Sequence, residues 1–277
     1  MAQVRVDAAG PVATITLDRP ETRNAIGLEM VEEMHAALAS LEPRDDLRAL
    51  VITGAGGKAF ASGADVAELR DRTADDARKG INAALFARVE RFPRPTVAAV
   101  VGFALGGGCE LALACDFRVA GASSRFGQPE VTLGIVAGAG GLRRLPRLVG
   151  IAHARRLLFS GAVIDAAEAL RIGLVDRVVP DDRVPDAVAD LLAPIVAAAP
   201  EAVRLSKASL LEWAHGAAEE RLDLLDRSHQ ALLFHHPDKY ARMDAFLSRK
   251  SRGGTSSRGG ETRGEAGGEG DRGPRAK

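Results

Sequence analysis

The 277-residue chain has two cysteines, one tryptophan and one tyrosine, and only 4% of its residues are aromatic. Cys109 and Cys115, six apart in one apolar stretch, are too few for a disulfide framework or a four-ligand zinc site. They fit a reducing compartment, and no metal site is expected. Neither sign of charge is in excess: 37 Lys plus Arg stand against 37 Asp plus Glu. A neutral chain lacks the broad attraction that draws proteins to nucleic acid or anionic membrane, so neither is expected as a partner. The first ten residues lack the basic-then-apolar pattern of a signal peptide. Ala98 to Cys115 has the length of a membrane span, but Glu110 and the run Gly106-Gly107-Gly108 interrupt it. The expected location is the cytoplasm.

Nucleotide and hydrolase signatures are missing too. No Gly-x-Gly-x-x-Gly follows the first strand, and no Gly-x-x-x-x-Gly-Lys-Ser/Thr or Gly-x-Ser-x-Gly occurs. The six histidines (35, 153, 215, 229, 235 and 236) fall on helical stretches without metal-ligand spacing.

What is present alternates strand and helix signals. Val4 to Leu17 reads as a period-two hairpin, and Leu28 to Leu41 carries Met30, Met34, Leu38 and Leu41 at helical spacing. Ala49 to Ile52, Thr96 to Val101 and Phe117 to Ala120 read as short buried strands. Helices are expected over Asp75 to Phe92 and Cys109 to Cys115. From Leu142 onward nearly everything is helical, with one last strand at Val175 to Val179. This pattern implies an α/β body, residues 1–195, with an α-helical C-terminal subdomain, residues 196–250. From Ser251 to Lys277 only Ala266 and Ala276 are apolar, so 251–277 is expected to be a disordered Gly/Arg-rich tail.

Three segments hold more glycine than packing needs: Gly54 to Gly57, Gly106 to Gly108 and Gly138 to Gly141. A glycine-rich link from strand to helix exposes N–H groups at the positive end of the helix dipole. Such a link serves a phosphate or an oxyanion, and without a nucleotide motif the oxyanion is the better reading. Glu110 lies two residues past the triple glycine in an otherwise apolar helix, where a lone carboxylate is expensive unless paired or functional. Glu130 stands in a loop between apolar runs.

Three runs in register then carry a specific signal: Phe60-Ala-Ser-Gly-Ala-Asp65, Ala98 to Asp116, and Phe126-Gly-Gln-Pro-Glu-Val-Thr-Leu-Gly134. They resemble the enoyl-CoA hydratase (crotonase) family, and the resemblance extends over nearly all of Val4 to Lys250. It implies a spiral of ββα units whose C-terminal helices form a trimerisation subdomain, giving a homotrimer or a homohexamer. By match, the backbone N–H groups of Ala64 and Gly107 hold a thioester oxyanion. Glu110 orients and activates water, and Glu130 delivers a proton to the α-carbon. The implied reaction is reversible hydration of trans-2-enoyl-CoA to 3-hydroxyacyl-CoA; the acyl-CoA thioester is the substrate and no separate cofactor is needed. Arg23, Ala25, Lys58, Phe60, Ala61 and Ser62 match positions near the nucleotide end of coenzyme A. Asp65, Val66 and Ala67 follow Ala64 along the pantetheine, and Phe246 and Lys250 match residues that complete the site from the C-terminal helix.

The chain departs from the family pattern at several points. Val101 replaces an Asn, Ala137 a Pro, and Leu142-Arg143 a Thr-Gln, while the usual Pro-x-Phe after Lys250 is absent. Alternative readings are an enoyl-CoA isomerase or acyl-CoA hydrolase of the same fold; an isomerase would usually lack one of the two glutamates or place the acid elsewhere. An RNA-binding relative is a further alternative, suggested by the Arg-Gly-Gly runs of the tail. Its acidic residues and lack of aromatic side chains weigh against that.

Overall fold

Successive side chains of a strand face opposite ways, and the central strands of this chain are apolar on both faces. The computed structural model describes residues 2–253, with side chains through Ser248. Six strands form one sheet in the order β1 (Val4–Asp7), β2 (Val12–Leu17), β3 (Ala49–Gly54), β5 (Thr96–Val100), β7 (Phe117–Gly121) and β10 (Arg177–Val179). β1 and β2 are the expected antiparallel hairpin, and the remaining pairings are parallel. Leu50, Ile52, Ala98 and Val100 face the main core, whereas Ala49, Val51, Val97 and Ala99 face a smaller core on the other side.

A second sheet joins β4 (Ala59–Ala61), β6 (Phe103–Leu105), β8 (Arg125–Gly127) and β9 (Val163–Asp165). Three times in succession a strand of the first sheet leads into one of the second and then into helix. β3 and β4 precede α2 (Val66–Asp71), α3 (Ala74–Lys79) and α4 (Ile81–Glu90); β5 and β6 precede α5 (Gly107–Ala114); β7 and β8 precede α6 (Gly141–Ser160). This is the expected spiral of ββα units. α1 (Leu28–Leu41) lies where its period placed it, with Met30, Met34, Leu38 and Leu41 at 0–2% exposure in the main core.

α7 (Ala166–Arg171) leads to the last strand, and α8 (Val184–Ala197), α9 (Pro200–Ala214), α10 (Glu219–Phe234) and α11 (Pro237–Gly253) make the end of the chain helical, as expected. Val184, Ala187, Val188 and Leu192 of α8 cover the smaller core, so this apolar face is used within the chain. α10 buries no residue and exposes Leu224, Leu232 and Phe234. Two compact units are distinguished, one up to Ala231 and one from Leu232 onward. α11 takes in Ser251 to Gly253; the rest of the expected tail, 254–277, lies outside the described residues.

Two expectations are corrected. The helix read over Asp75 to Phe92 is broken at Gly80 (φ 60°), which caps α3 and starts α4. The sequence reading also misses the second sheet, because three-residue strands are too short to display a period. Among the described residues no helix is long and apolar enough to cross a membrane, and no cluster of three or more His, Cys, Asp or Glu could hold a metal ion.

Candidate active site

α5 is the centre of the site, and all eight of its residues are buried. It can lie this deep because its first two residues have no side chains: a Cβ on Gly108 would fall 2.0 Å from the Ala61 carbonyl oxygen. The helix therefore starts directly against β4 and the Gly63-Ala64 link that follows it. A Cβ on Gly107 would lie 3.4 Å from the Ala64 nitrogen, and one on Gly63 would lie 3.6 Å from the Gly107 nitrogen. The two N–H groups are neighbours, and neither has an acceptor among the described residues. First-turn N–H groups have no partner within their own helix, so the pair is available to an oxygen ligand.

Glu110 closes the first turn of α5 and is 3% exposed. Its Oε1 accepts two hydrogen bonds of 2.8 Å, from the N–H groups of Ala139 and Gly141. The third glycine cluster is thus an anion site whose anion is the protein's own carboxylate. Oε2 makes no hydrogen bond among the described residues. Burial pushes the Glu110 pKa above its ordinary value, although those N–H groups and the charges of Arg144 and Arg143 pull against it.

Glu130 sits not in an open loop, as expected, but in a single 3-10 turn, Pro129–Leu133, behind β8. A Cβ on Gly106 would lie 3.1 Å from its Oε1, which places the carboxyl at the start of α5. Glu130 is 9% exposed, and burial together with the negative charge of Glu110 pushes its pKa up to about 7. Gln128, 1% exposed, turns its amide nitrogen to Glu130 in the orientation that satisfies its neighbours, donating to Oε1 (3.0 Å) and Oε2 (3.2 Å). A Cβ on Gly141 would stand 3.1 Å from both the Gln128 amide and Glu110 Oε1, so Gln128 lies between the carboxyls. Cys109 is beside them, but burial and the two glutamates push its thiol up to about 12, which rules out a thiolate nucleophile.

The chain leading to the paired N–H groups of Ala64 and Gly107 is held by Asn24. This fully buried side chain accepts from Arg19 N–H (2.9 Å) and donates to the carbonyls of Ala55 (3.0 Å) and Ala59 (2.8 Å). Arg23 carbonyl accepts from Ser62 N–H (3.0 Å), and Gly63 carbonyl from Ile26 N–H (2.8 Å), so Arg23, Ala25, Ser62 and Ala64 are drawn together. Arg23 is exposed, with its guanidinium over Phe103 (5.8 Å), and Lys58, also exposed, accepts from Phe103 N–H through its carbonyl (3.2 Å).

Other expected residues have different surroundings. Phe60 and Ala61 are 0% exposed, and Phe60 belongs to the core, so neither offers surface to a solute. Asp65 caps α2 by accepting from Ala67 and Glu68 N–H, and it pairs with Arg19 at 3.1 Å. Val66 and Ala67 are exposed. Phe246, on α11, is exposed, and the Lys250 side chain lies outside the described residues. The sequence reading assigned no role to Gln128, Asn24 or Arg144. Gln128 lies inside the run Phe126 to Gly134 and Asn24 between Arg23 and Ala25, a signal that could have been followed.

Apolar side chains flank the carboxyls along the chain: Val131, Leu133, Ile135, Val136 and Leu142 are all exposed. Two cavities lie elsewhere, about 510 Å³ between α9 and the end of α5, and about 730 Å³ between α8 and the first sheet. Neither includes Ala64, Gly107, Glu110 or Glu130.

Comparison with known proteins gives the family and the fold. Residues 7–252 match the family described as enoyl-CoA hydratase/isomerase. A short-chain-enoyl-CoA hydratase of Clostridium acetobutylicum is 44% identical over 209 residues, covering 75% of this chain and 80% of that protein. A crotonyl-CoA hydratase of Syntrophomonas wolfei is 40% identical over 242 residues, covering 86% and 92%. The crystal structure of an enoyl-CoA hydratase from Bacillus anthracis superposes with a TM-score of 0.85 at 34% identity, covering 89% of this chain and 96% of that one. The chain belongs to the enoyl-CoA hydratase/isomerase family.

Proposed function

We propose that the chain catalyses the reversible addition of water to a trans-2-enoyl-CoA, giving a 3-hydroxyacyl-CoA. The observation that carries this reading is a pair of buried carboxyls in different environments beside two unpartnered N–H groups. Glu110, anchored through Oε1, keeps Oε2 to take a proton from water as the oxygen bonds to the β-carbon. Glu130, with a pKa raised to about 7, keeps a proton to deliver to the α-carbon. The N–H groups of Ala64 and Gly107 receive the thioester oxygen as it gains negative charge, an effect worth about 10²–10³ in rate per donor. One proton enters the pair and one leaves, so the reaction balances without a resident cofactor.

The exposed cations Arg23 and Lys58 suit the phosphates of coenzyme A, and the apolar residues from Val131 to Leu142 suit an acyl chain. The exposed Leu224, Leu232 and Phe234 of α10 suit burial between copies in a trimer or a pair of trimers, which sedimentation of the purified chain would test. The decisive assay follows loss of the conjugated thioester absorbance of crotonyl-CoA, with the product identified by mass. Glu110→Gln and Glu130→Gln should each lower kcat about 10²–10⁴-fold while KM is retained. Full turnover in either variant would remove these residues from the mechanism.

A further inference from the structure

We propose that Arg144, clamped by Glu90, is a positioning residue that fixes the location and charge of Glu110 through the Ala139–Gly141 link. As a statement about catalysis this rests on the hydratase reading. Arg144 lies in the first turn of α6 and is 3% exposed. Its Nη1 donates to the Ala139 carbonyl (3.0 Å) and its Nη2 to Glu90 Oε2 (2.9 Å). Ala139 is therefore held at both ends, its N–H on Glu110 and its carbonyl on Arg144.

Gly140 makes this reach possible. Its φ of 116° belongs to glycine, and a Cβ there would fall 2.1 Å from Arg144 Nη1. Glu90 ends α4 and also faces His215 Nε2 at 3.4 Å, so the clamp is tied to a second helix and to the residue after α9. Burial works against charge on Glu90, but Arg144 and His215 hold its pKa below the ordinary carboxylate value. Arg144 Nε is buried without a partner among the described residues. A guanidinium buried with one N–H unpaired is expensive. A pair whose role was only to join α4 to α6 could be replaced by apolar packing. This one ends instead on the carbonyl next to a Glu110 donor, and its charge favours the ionised Glu110. The charged and titratable groups acting on Glu110 are Arg144 and Arg143 from α6, Glu130 from the 3-10 turn and Cys109 from its own helix.

The test compares Arg144→Gln, Arg144→Lys and Glu90→Gln with the wild type by two readouts. The first is kcat and KM for crotonyl-CoA hydration across pH. The second needs no substrate: the Glu110 carboxyl titration by infrared difference spectroscopy, with its band assigned by its loss in Glu110→Gln. Arg144→Gln should lower kcat about 10–100-fold, the effect of displacing a reacting group by about 1 Å, with KM little changed. It should also move the Glu110 titration and the acid limb of the profile to higher pH. Arg144→Lys keeps the charge, so the titration stays closer to wild type, but one ammonium cannot hold both partners in the planar fork and kcat still falls. Glu90→Gln should lower kcat without raising the Glu110 pKa. Should Arg144→Gln fail to fold, the other two variants carry the comparison. An unshifted Glu110 titration in Arg144→Gln, or unchanged kcat in Arg144→Lys and Glu90→Gln, overturns the inference. A wild type that does not hydrate crotonyl-CoA overturns the hydratase reading alone, since the infrared titration still decides whether Arg144 acts on Glu110.

Discussion

Replacing Glu130 by glutamine should remove the proposed proton donor and stabilise the fold at neutral pH. In the folded protein Glu130 keeps its proton up to about pH 7, because burial and the charge of Glu110 oppose ionisation. In the unfolded chain the same carboxyl ionises near its ordinary 4.5. Between those values the folded state holds a proton that the unfolded state has released, so stability falls as pH rises through the window. At about 1.4 kcal/mol per pH unit, the difference amounts to about 3 kcal/mol. Glutamine resembles the protonated acid and has no proton to lose, so Glu130→Gln escapes this decline. Urea unfolding of both proteins at fixed protein concentration should show the stability difference shifting toward the variant, by about 3 kcal/mol, between pH 4.5 and neutrality. Packing changes would add a constant offset without changing that slope. A difference independent of pH over this range would refute the assignment of a neutral, buried Glu130.

The same two carboxyls constrain the pH profiles. In the proposed mechanism hydration starts with the proton on Glu130 and dehydration with it on Glu110, so both directions use the singly protonated pair. kcat/KM for enoyl-CoA hydration should therefore fall off above about pH 7, the value for Glu130, and the residual activity of Glu130→Gln should lack that limb; a wild-type profile with no such limb would contradict a protonated Glu130. Asn24→Ala should strand the buried carbonyl of Ala59 and take this partner from the half-buried Arg19 N–H and Ala55 carbonyl. Each group left unpaired costs about 1–3 kcal/mol. A large fall in the unfolding midpoint is expected, and an unchanged midpoint would show that Asn24 does not hold this turn.

The legibility of the sequence followed the length scale of each signal. α1 spans four turns with one apolar face, and the β1–β2 hairpin alternates over several residues, so both are apparent in composition alone. β4, β6, β8 and β9 have three residues each, and their pairing is a property of the spiral rather than of any local pattern. The break between α3 and α4 rests on Gly80 alone, and a single glycine is compatible with a continuous helix. Glu110 stood out because an acid in an apolar helix has a cost that can be recognised without coordinates. Arg144 did not, because an arginine among Arg143 and Arg147 near a helix start reads as a solvated cation, and only folding brings it to Glu90.

The three glycine clusters show why composition could propose an anion site but could not say whose anion it holds. Gly54 to Gly57 connects two strands, and a Cβ on Gly54 would meet the carbonyls of Ala59 and Phe60, so its first glycine serves close packing. Gly138 to Gly141 turns its N–H groups inward onto Glu110. Gly106 to Gly108 leaves the Gly107 N–H next to that of Ala64 without an acceptor among the described residues. The second and third clusters expose N–H groups at a helix start, and both converge on α5. One anchors the carboxylate of that helix, and the other leaves donors for an oxygen supplied from outside. Under the proposed hydration, the internal anion and the external oxygen are both held by backbone N–H groups around the same eight-residue helix, so the Glu110 side chain is pinned at its carboxyl rather than left to rotate. That fixed spacing is the property that proton transfer at adjacent carbons of one substrate requires.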